Sequence, residues 1–207
     1  MRYRHAAFAA VAACTAAGLL GTVRAQSPAN PQPIALEARS SDFDRRNDRL
    51  VFREVTIRQG GLAIEADLAE ATRLDFENSL WLFTGDVRIE FDTATIESQT
   101  ASLQFKGHQL RHAEIAGDPA RFAQKASANG PQATGEAHRL EYDFDTGIVT
   151  LSQNARLSEG ANNITGDWLR YDMLKERIVA GSEGDRVKIE ITPPPDDGPE
   201  DDSRTER

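Results

Sequence analysis

The chain has 207 residues, 39% of them hydrophobic, and a formal net charge of −9. That length and apolar fraction suit one globular core, while the acid excess argues against free nucleic acid as a partner, since phosphate binding needs a basic face. Cys14 is the single cysteine, so no intrachain disulfide framework can form.

Arg2, Arg4 and His5 open the chain, an apolar run follows from 6 to 23, and Val23-Arg24-Ala25 is a small-x-small cleavage signal. Residues 1–25 are therefore expected to be a secretory signal peptide cut after Ala25, which predicts a periplasmic location. Val11-Ala12-Ala13-Cys14 faintly resembles a lipoprotein box, but the apolar run before it is shorter than a signal core uses. An uncleaved anchor would want about 20 strongly apolar residues, and this run is Ala-rich. Losing three basic residues with the leader leaves 21 basic against 33 acidic, a net of −12. Residues 26–33 read as a flexible leader of Ser, Pro, Asn and Gln.

From residue 34 to 192 the apolar pattern is period two, the signature of strands. A partial copy of a repeat begins at Leu36-Glu37 and has Phe43 in its aromatic slot; Leu50 and Phe52 share a face after it. The second copy begins at Ile64-Glu65. Its Ala, Leu and Glu content over 64–76 would also suit a helix, but Ile64, Ala66 and Leu68 alternate, and Leu74-x-Phe76 resumes the alternation, so a strand is predicted. Val87, Ile89 and Phe91 then share one face with Arg88 and Glu90 opposite.

Further copies begin at Ile96-Glu97, Gly135-Glu136 and Ile164-Thr165-Gly166-Asp167, with the pairs Leu103-x-Phe105, Leu140-x-Tyr142 and Leu169-x-Tyr171. Turn residues follow each pair, at Glu77-Asn78-Ser79, Lys106-Gly107-His108, Asp145-Thr146-Gly147 and Lys175-Glu176-Arg177, and then a second apolar strand. Gly85-Asp86, Gly117-Asp118 and Gly184-Asp185 are predicted to turn the chain again. Val187, Ile189 and Ile191 alternate with Lys188 and Glu190 at the end. The expectation is an elongated all-β body, a unit of about 30 residues stacked roughly five times, followed by a disordered acidic, Pro-rich tail at 193–207.

Enzyme chemistry finds little footing. The chain has no Gly-x-Ser-x-Gly elbow and no Gly-rich phosphate loop, and neither a cofactor nor a metal is expected. His108 and His112 would make a metal pair only on a helix. Asp42/Asp44, Glu65/Asp67 and Asp143/Asp145 are spaced by two and could suit a glycosidase or calcium, but they fall in strand-edge slots of the repeat, where a solvated face and turn capping explain them. What remains is a repeated apolar stripe, which either packs into a plain core or splays into an apolar groove.

The Leu-x-Tyr-Asp repeat, "GDVRIE" at 85–90, "GDPARF" at 117–122 and "GEAHRLEYD" at 135–143 together resemble the OstA-like family over residues 34–192. The resemblance implies a slightly twisted, open β-jellyroll, or β-taco, whose concave interior holds the lipid A acyl chains of lipopolysaccharide. It implies no enzyme activity. It also implies protomers joined end to end, as a homo-oligomer, between a partner of the same fold in the inner-membrane export complex and the N-terminal domain of the outer-membrane translocon. The lipid-facing set expected on this basis is Val55, Ile57, Ile64, Leu74, Phe76, Val87, Ile89, Leu103, Phe105, Leu140, Tyr142, Val149, Leu151, Leu169 and Tyr171. The edges expected to take partner strands are Ile34, Ala35, Leu36 and Glu37 at one end and Val187, Lys188, Ile189, Glu190 and Ile191 at the other. Arg88, Lys106 and Arg121 would be rim residues for lipid phosphates or plain solvated surface. The alternatives are a β-repeat scaffold that transports nothing, and the inner-membrane-anchored partner of the same fold.

Overall fold

The computed structural model describes residues 32–74, 76–126, 131–184 and 186–192. The expected signal peptide, most of the leader after it, Asp185 and the acidic tail lie outside the described residues. Within them the chain is all β: β1 (Ala35–Asp44), β2 (Arg49–Gln59), β3 (Leu62–Ala71), β4 (Asn78–Phe91), β5 (Ala94–Lys106), β6 (Gln109–Gln124), β7 (Ala133–Asp143), β8 (Ile148–Glu159), β9 (Asn162–Asp172), β10 (Arg177–Gly181) and β11 (Lys188–Ile191). One sheet holds all eleven, with β1 to β10 in chain order. All pairings are antiparallel, and β10 and β11 share the far side of β9 as one interrupted edge strand. The sheet is open, with β1 at one edge and β10/β11 at the other.

The strand predicted over 64–76 is real as far as Ala71, and the alternation then breaks. By register the pair that matches Leu140-x-Tyr142 is Ala69-x-Ala71, not Leu74-x-Phe76. Residues 72–74 and 76–77 belong to no strand, and Leu74 is 48% exposed, so it does not face the interior. Phe76 does, folding back from the connection with a left-handed backbone (φ 51°). Its ring fills the room that the two alanines leave.

Two of the three Gly-Asp pairs that the sequence suggests as turns are mid-strand bulges; of the third, Gly184 lies between β10 and β11 and Asp185 is outside the described residues. Gly85 and Asp86 lie inside β4, both at positive φ (79° and 42°), where the pairing slips between Thr84 and Val87. Gly117 and Asp118 lie inside β6, at the slip between Ala116 and Ala120. Comparable slips interrupt every pairing from β3/β4 to β8/β9. Glu54 on β2 and Gln153-Asn154 on β8 also have positive φ. A bulge adds a residue to one strand and bends it, and here the bulges line up across the sheet.

That line divides the sheet into two arms. Arm I carries the hairpin turns after β1, β5, β7 and β9, and arm II those after β2, β4 and β8. Polar side chains occupy the fold line and occupy some of its unpaired backbone groups: the Asp118 amide donates to Gln99 Oε1 (2.7 Å) and the Glu183 amide to Asp167 Oδ2 (2.7 Å). Arg39 pairs with Glu54 there at 2.6 Å. At Gly85 an added Cβ would run into the Asp67 carboxylate, so both the space and the backbone angle require glycine.

The arms fold onto each other with an offset of three strands. Phe91, at the arm II end of β4, stacks on Tyr142 at the arm I end of β7 (4.7 Å). Phe122 of β6 meets Tyr171 of β9 in the same sense (6.3 Å). Gln59, ending β2, donates to the His108 carbonyl in the turn after β5 (2.6 Å). The sequence expectation of a face folded against itself is thus realised within one continuous sheet.

The repeated aspartate after each aromatic has a structural task. Asp44, Asp143 and Asp172 each accept two backbone N–H bonds from residues two and three positions on, closing the arm I turns. Hydrogen bonds hold all three carboxyls below their ordinary value, led by the Asn47 side chain at Asp44, the Thr146 amide at Asp143 and the Lys175 side chain at Asp172. Asp143→Ala should therefore cost about 1 kcal/mol, read as a lower urea midpoint, whereas Asp143→Asn should lose less. Because the folded values are lowered, this support is present above about pH 4 and fades as pH falls through the folded values.

Candidate functional site: the interior between the arms

The inner face is built from rows that cross the sheet with one residue per strand. In arm II the row runs Leu36, Ile57, Ile64, Ile89, Ile96, Phe122, Gly135, Leu157, Ile164 and Ile189. In arm I one row runs Phe43, Leu50, Ala71, Trp81, Leu103, Ala113, Tyr142, Val149, Tyr171 and Ile178. Beside it lies a second that includes Phe52, Phe83, Ile115, Leu140, Leu151 and Leu169. Direct cross-strand pairing keeps each row on one side of the sheet, and the extra residues at the bulges adjust the alternation between the arms so that both present their rows to the interior. Gly135 leaves room for the Leu151 and Leu157 side chains, which a Cβ there would crowd.

Of the expected lipid-facing set, Val55, Ile57, Ile64, Phe76, Val87, Ile89, Leu103, Phe105, Leu140, Tyr142, Val149, Leu151, Leu169 and Tyr171 are all buried in one cluster, at 0% to 6% exposure. Leu74 is the exception. The sequence reading left out Trp81, Phe83, Phe91, Ile96, Ile115, Phe122 and Leu157, which belong to the same interior. Phe91 is already on the face of Val87 and Ile89 in the sequence pattern, and carrying that alternation back along β4 finds Trp81 and Phe83. Numerous alanines, including Ala69, Ala101, Ala113 and Ala137, carry no signal by themselves because alanine is common on either face.

An aromatic cluster fills the β1–β5 end of arm I. Trp81 stacks on Phe76 (4.7 Å, 10° between planes) and on Phe52 (5.7 Å), and its indole N–H donates to the Ser79 hydroxyl (3.2 Å). A second cluster closes the line where the arm ends meet, with Phe91, Tyr142 and Phe144 in mutual contact. The interior is filled in this state. A cleft of about 470 Å³ lies instead on the outside of arm II, lined by Arg88, Glu97, Arg121, Glu136 and Arg156 among others.

Burial, with Asp92 and Asp143 nearby, pushes the Tyr142 hydroxyl up to about 12. Tyrosine titrates near 10 when unfolded, so above pH 10 the unfolded chain sheds a proton that the folded one keeps, and stability drops between about pH 10 and 12. Tyr142→Phe should move alkaline unfolding to higher pH, as followed by far-UV circular dichroism. An unchanged midpoint would mean that Tyr142 is not the group concerned.

Outside arm II the residues between the apolar ones form a charge ladder. Glu37, Thr56, Glu65, Arg88, Glu97, Arg121, Glu136, Arg156, Thr165 and Lys188 face one another in succession. Arg88 pairs with Glu97 and with Glu90 (2.7 Å), and Arg58 reaches Glu65 at 3.5 Å. Exposed pairs of this kind contribute little stability singly. The corresponding outer row of arm I, with Val51, Glu70, Leu82, Ser102 and Glu114, shows no such alternation.

An open antiparallel sheet folded along a line of bulges, apolar within and charged without, has known counterparts. The family model described as "LptA/(LptD N-terminal domain) LPS transport protein" matches residues 68–177. The chain belongs to this LPS transport family. The lipopolysaccharide export system protein LptA of Haemophilus influenzae is 29% identical over 124 residues, 58% of this chain and 72% of that protein. LptA of Escherichia coli K12 is 29% identical over 123 residues, 58% of this chain and 66% of that protein. In three dimensions the chain is similar to LptH of Pseudomonas aeruginosa, described as the LptA-homologous periplasmic component of the lipopolysaccharide transport device. The TM-score is 0.51 at 19% identity, covering 78% of this chain and 96% of that one. The likeness to LptH is one of fold. The LPS transport family match spans β4 to β9 whole and takes in the bulges at Gly85-Asp86, Gly117-Asp118 and Gln153-Asn154.

Proposed function

We propose that this protein is a periplasmic lipopolysaccharide carrier that shields lipid A acyl chains between its arms and bridges the inner-membrane export complex to the outer-membrane translocon. The observation that carries the reading is the arm II row from Leu36 to Ile189, apolar or glycine on every strand from one open edge of the sheet to the other. Moving a methylene group out of water is worth about 0.8 kcal/mol, so an acyl chain of roughly a dozen carbons faces about 10 kcal/mol against an unaided crossing. A lining without polar gaps removes most of that barrier. Lipid would enter by parting the arms where Phe91 meets Tyr142, with the bulge line as hinge.

The proposed lipid contacts are the fourteen buried residues of the expected set. Photo-crosslinking to lipopolysaccharide from Ile89 and Leu140 should label strongly, and from their outward neighbours Arg88 and Glu141 poorly; equal labelling would sink the reading. The filled interior also suits a scaffold that carries nothing, for which no lipid should co-purify. A secreted bridge should begin at Gln26, as read by mass spectrometry, whereas an anchored partner of the same fold would keep residues 1–25.

Partner strands are proposed to add at the two edges: Ala35, Leu36 and Glu37 of β1, with Ile34 just before it, and Lys188 to Ile191 of β11, with Val187 just before it. The partners would be the same-fold component of the export complex at one edge, the N-terminal domain of the translocon at the other, and further copies between them.

A further inference from the structure

We propose that the charge ladder of arm II sets the register in which a second copy of this chain adds its β1 to the β11 edge, with Glu37 of the incoming copy against Lys188. The inference rests on the end-to-end assembly proposed above and specifies it. The ladder ends on an acid at one edge and a base at the other, so a joined copy continues its alternation of sign.

The directions of the edge strands permit this. β1 runs from arm II to arm I, and the β10/β11 edge runs from arm I to arm II, so their pairing is antiparallel like every other in the sheet. Both bulge lines then meet at the joint. Pairing β1 with another β1 would instead set arm II against arm I.

Register follows from what lies on either side of Lys188. With Glu37 against Lys188, Leu36 falls on Ile189 and Ile34 on Ile191, covering two isoleucines that are 60% and 73% exposed. A slip of one residue turns the apolar face outward. A slip of two toward the chain end sets Glu37 against Glu190, and like charges directly opposite are destabilising. A slip of two the other way sets Glu37 against Arg186, a charge of the same sign as Lys188, but leaves Ile191 uncovered, so burial of the second isoleucine is what excludes it.

The test uses the full chain with Cys14→Ser throughout. Leu36→Cys combined with Ile189→Cys should give disulfide-linked multimers under mild oxidation, whereas Leu36→Cys with Ile191→Cys should stay largely monomeric. Lys188→Glu and Glu37→Lys should each weaken association about tenfold, less at high salt, and the two together in one chain should restore it. Both side chains are exposed, so folding should not be disturbed. Equal crosslinking of the two cysteine pairs, or reversals without effect, overturns the register while leaving assembly standing. No crosslinking with either pair overturns assembly too, while lipopolysaccharide capture by the same protein separately tests the carrier reading.

Discussion

Trp81→Ala should destabilise the protein by about 3–5 kcal/mol, the range for removing a large buried aromatic, and shift the urea midpoint accordingly. Trp81 is fully buried and is the ring on which both Phe52 and Phe76 stack. Its loss opens a void on two sides and leaves the buried Ser79 hydroxyl without its indole donor. The neighbouring strand offers only the alanines Ala69 and Ala71 at this level, so any filling of the gap must draw on the rings that were stacked on Trp81 and disturb their own packing. Trp81→Phe keeps a stacking surface and should cost roughly half as much or less. If Trp81→Ala unfolded at the wild-type midpoint, the aromatic cluster would not be the anchor of that end of arm I.

A larger functional effect is expected from locking the arms together. Phe91→Cys and Tyr142→Cys, joined by a short cleavable bis-thiol reagent in a Cys14→Ser background, should lower lipopolysaccharide capture at least tenfold, and cleavage of the linker should restore it. Among the described residues no main-chain pairing joins β4 to β7 across this line, which is held by side-chain packing, with the Gln59 bond to the His108 carbonyl farther along it. Apolar packing is non-directional, so acyl chains can replace it without leaving orphaned hydrogen-bonding groups. Each cysteine singly alkylated is the control. Capture unchanged by the link would mean that lipid does not pass between the arms at this point.

Much of this was legible in the sequence because a strand's period is short and unforgiving. Leu140 and Tyr142 point inward for the same reason that Glu141 and Asp143 do not, and the recurring pairs pointed to roughly five stacked units. Of the carboxylates that offered a catalytic reading, Asp44 and Asp143 proved to be turn caps and Glu65 a member of the outer charge ladder. What misled was glycine followed by aspartate. The pair supplies positive φ equally well to a hairpin turn or to a bulge, and only the partner strand's register distinguishes Gly85-Asp86 in β4 from a real turn such as Gly107-His108. Leu74 failed for a related reason: alternation counted through an irregular connection has lost its phase, and the slot it was assigned belongs to Ala69 and Ala71. Phe76 reached the interior by a route that no periodicity describes.

The three-strand offset between the arms has a mechanical consequence. Within one copy, arm I of β1 to β3 and arm II of the last strands have no counterpart to close upon, and Phe43, Ile189 and Ile191 are correspondingly exposed. A joined copy would supply both missing counterparts at once, so its first strands would overlap the last strands of its neighbour face to face as well as edge to edge. Carpenters call this a lap joint. Its strength grows with the length of the overlap rather than with the few hydrogen bonds at the edge, and anything sliding through would touch the next copy before it had let go of the last.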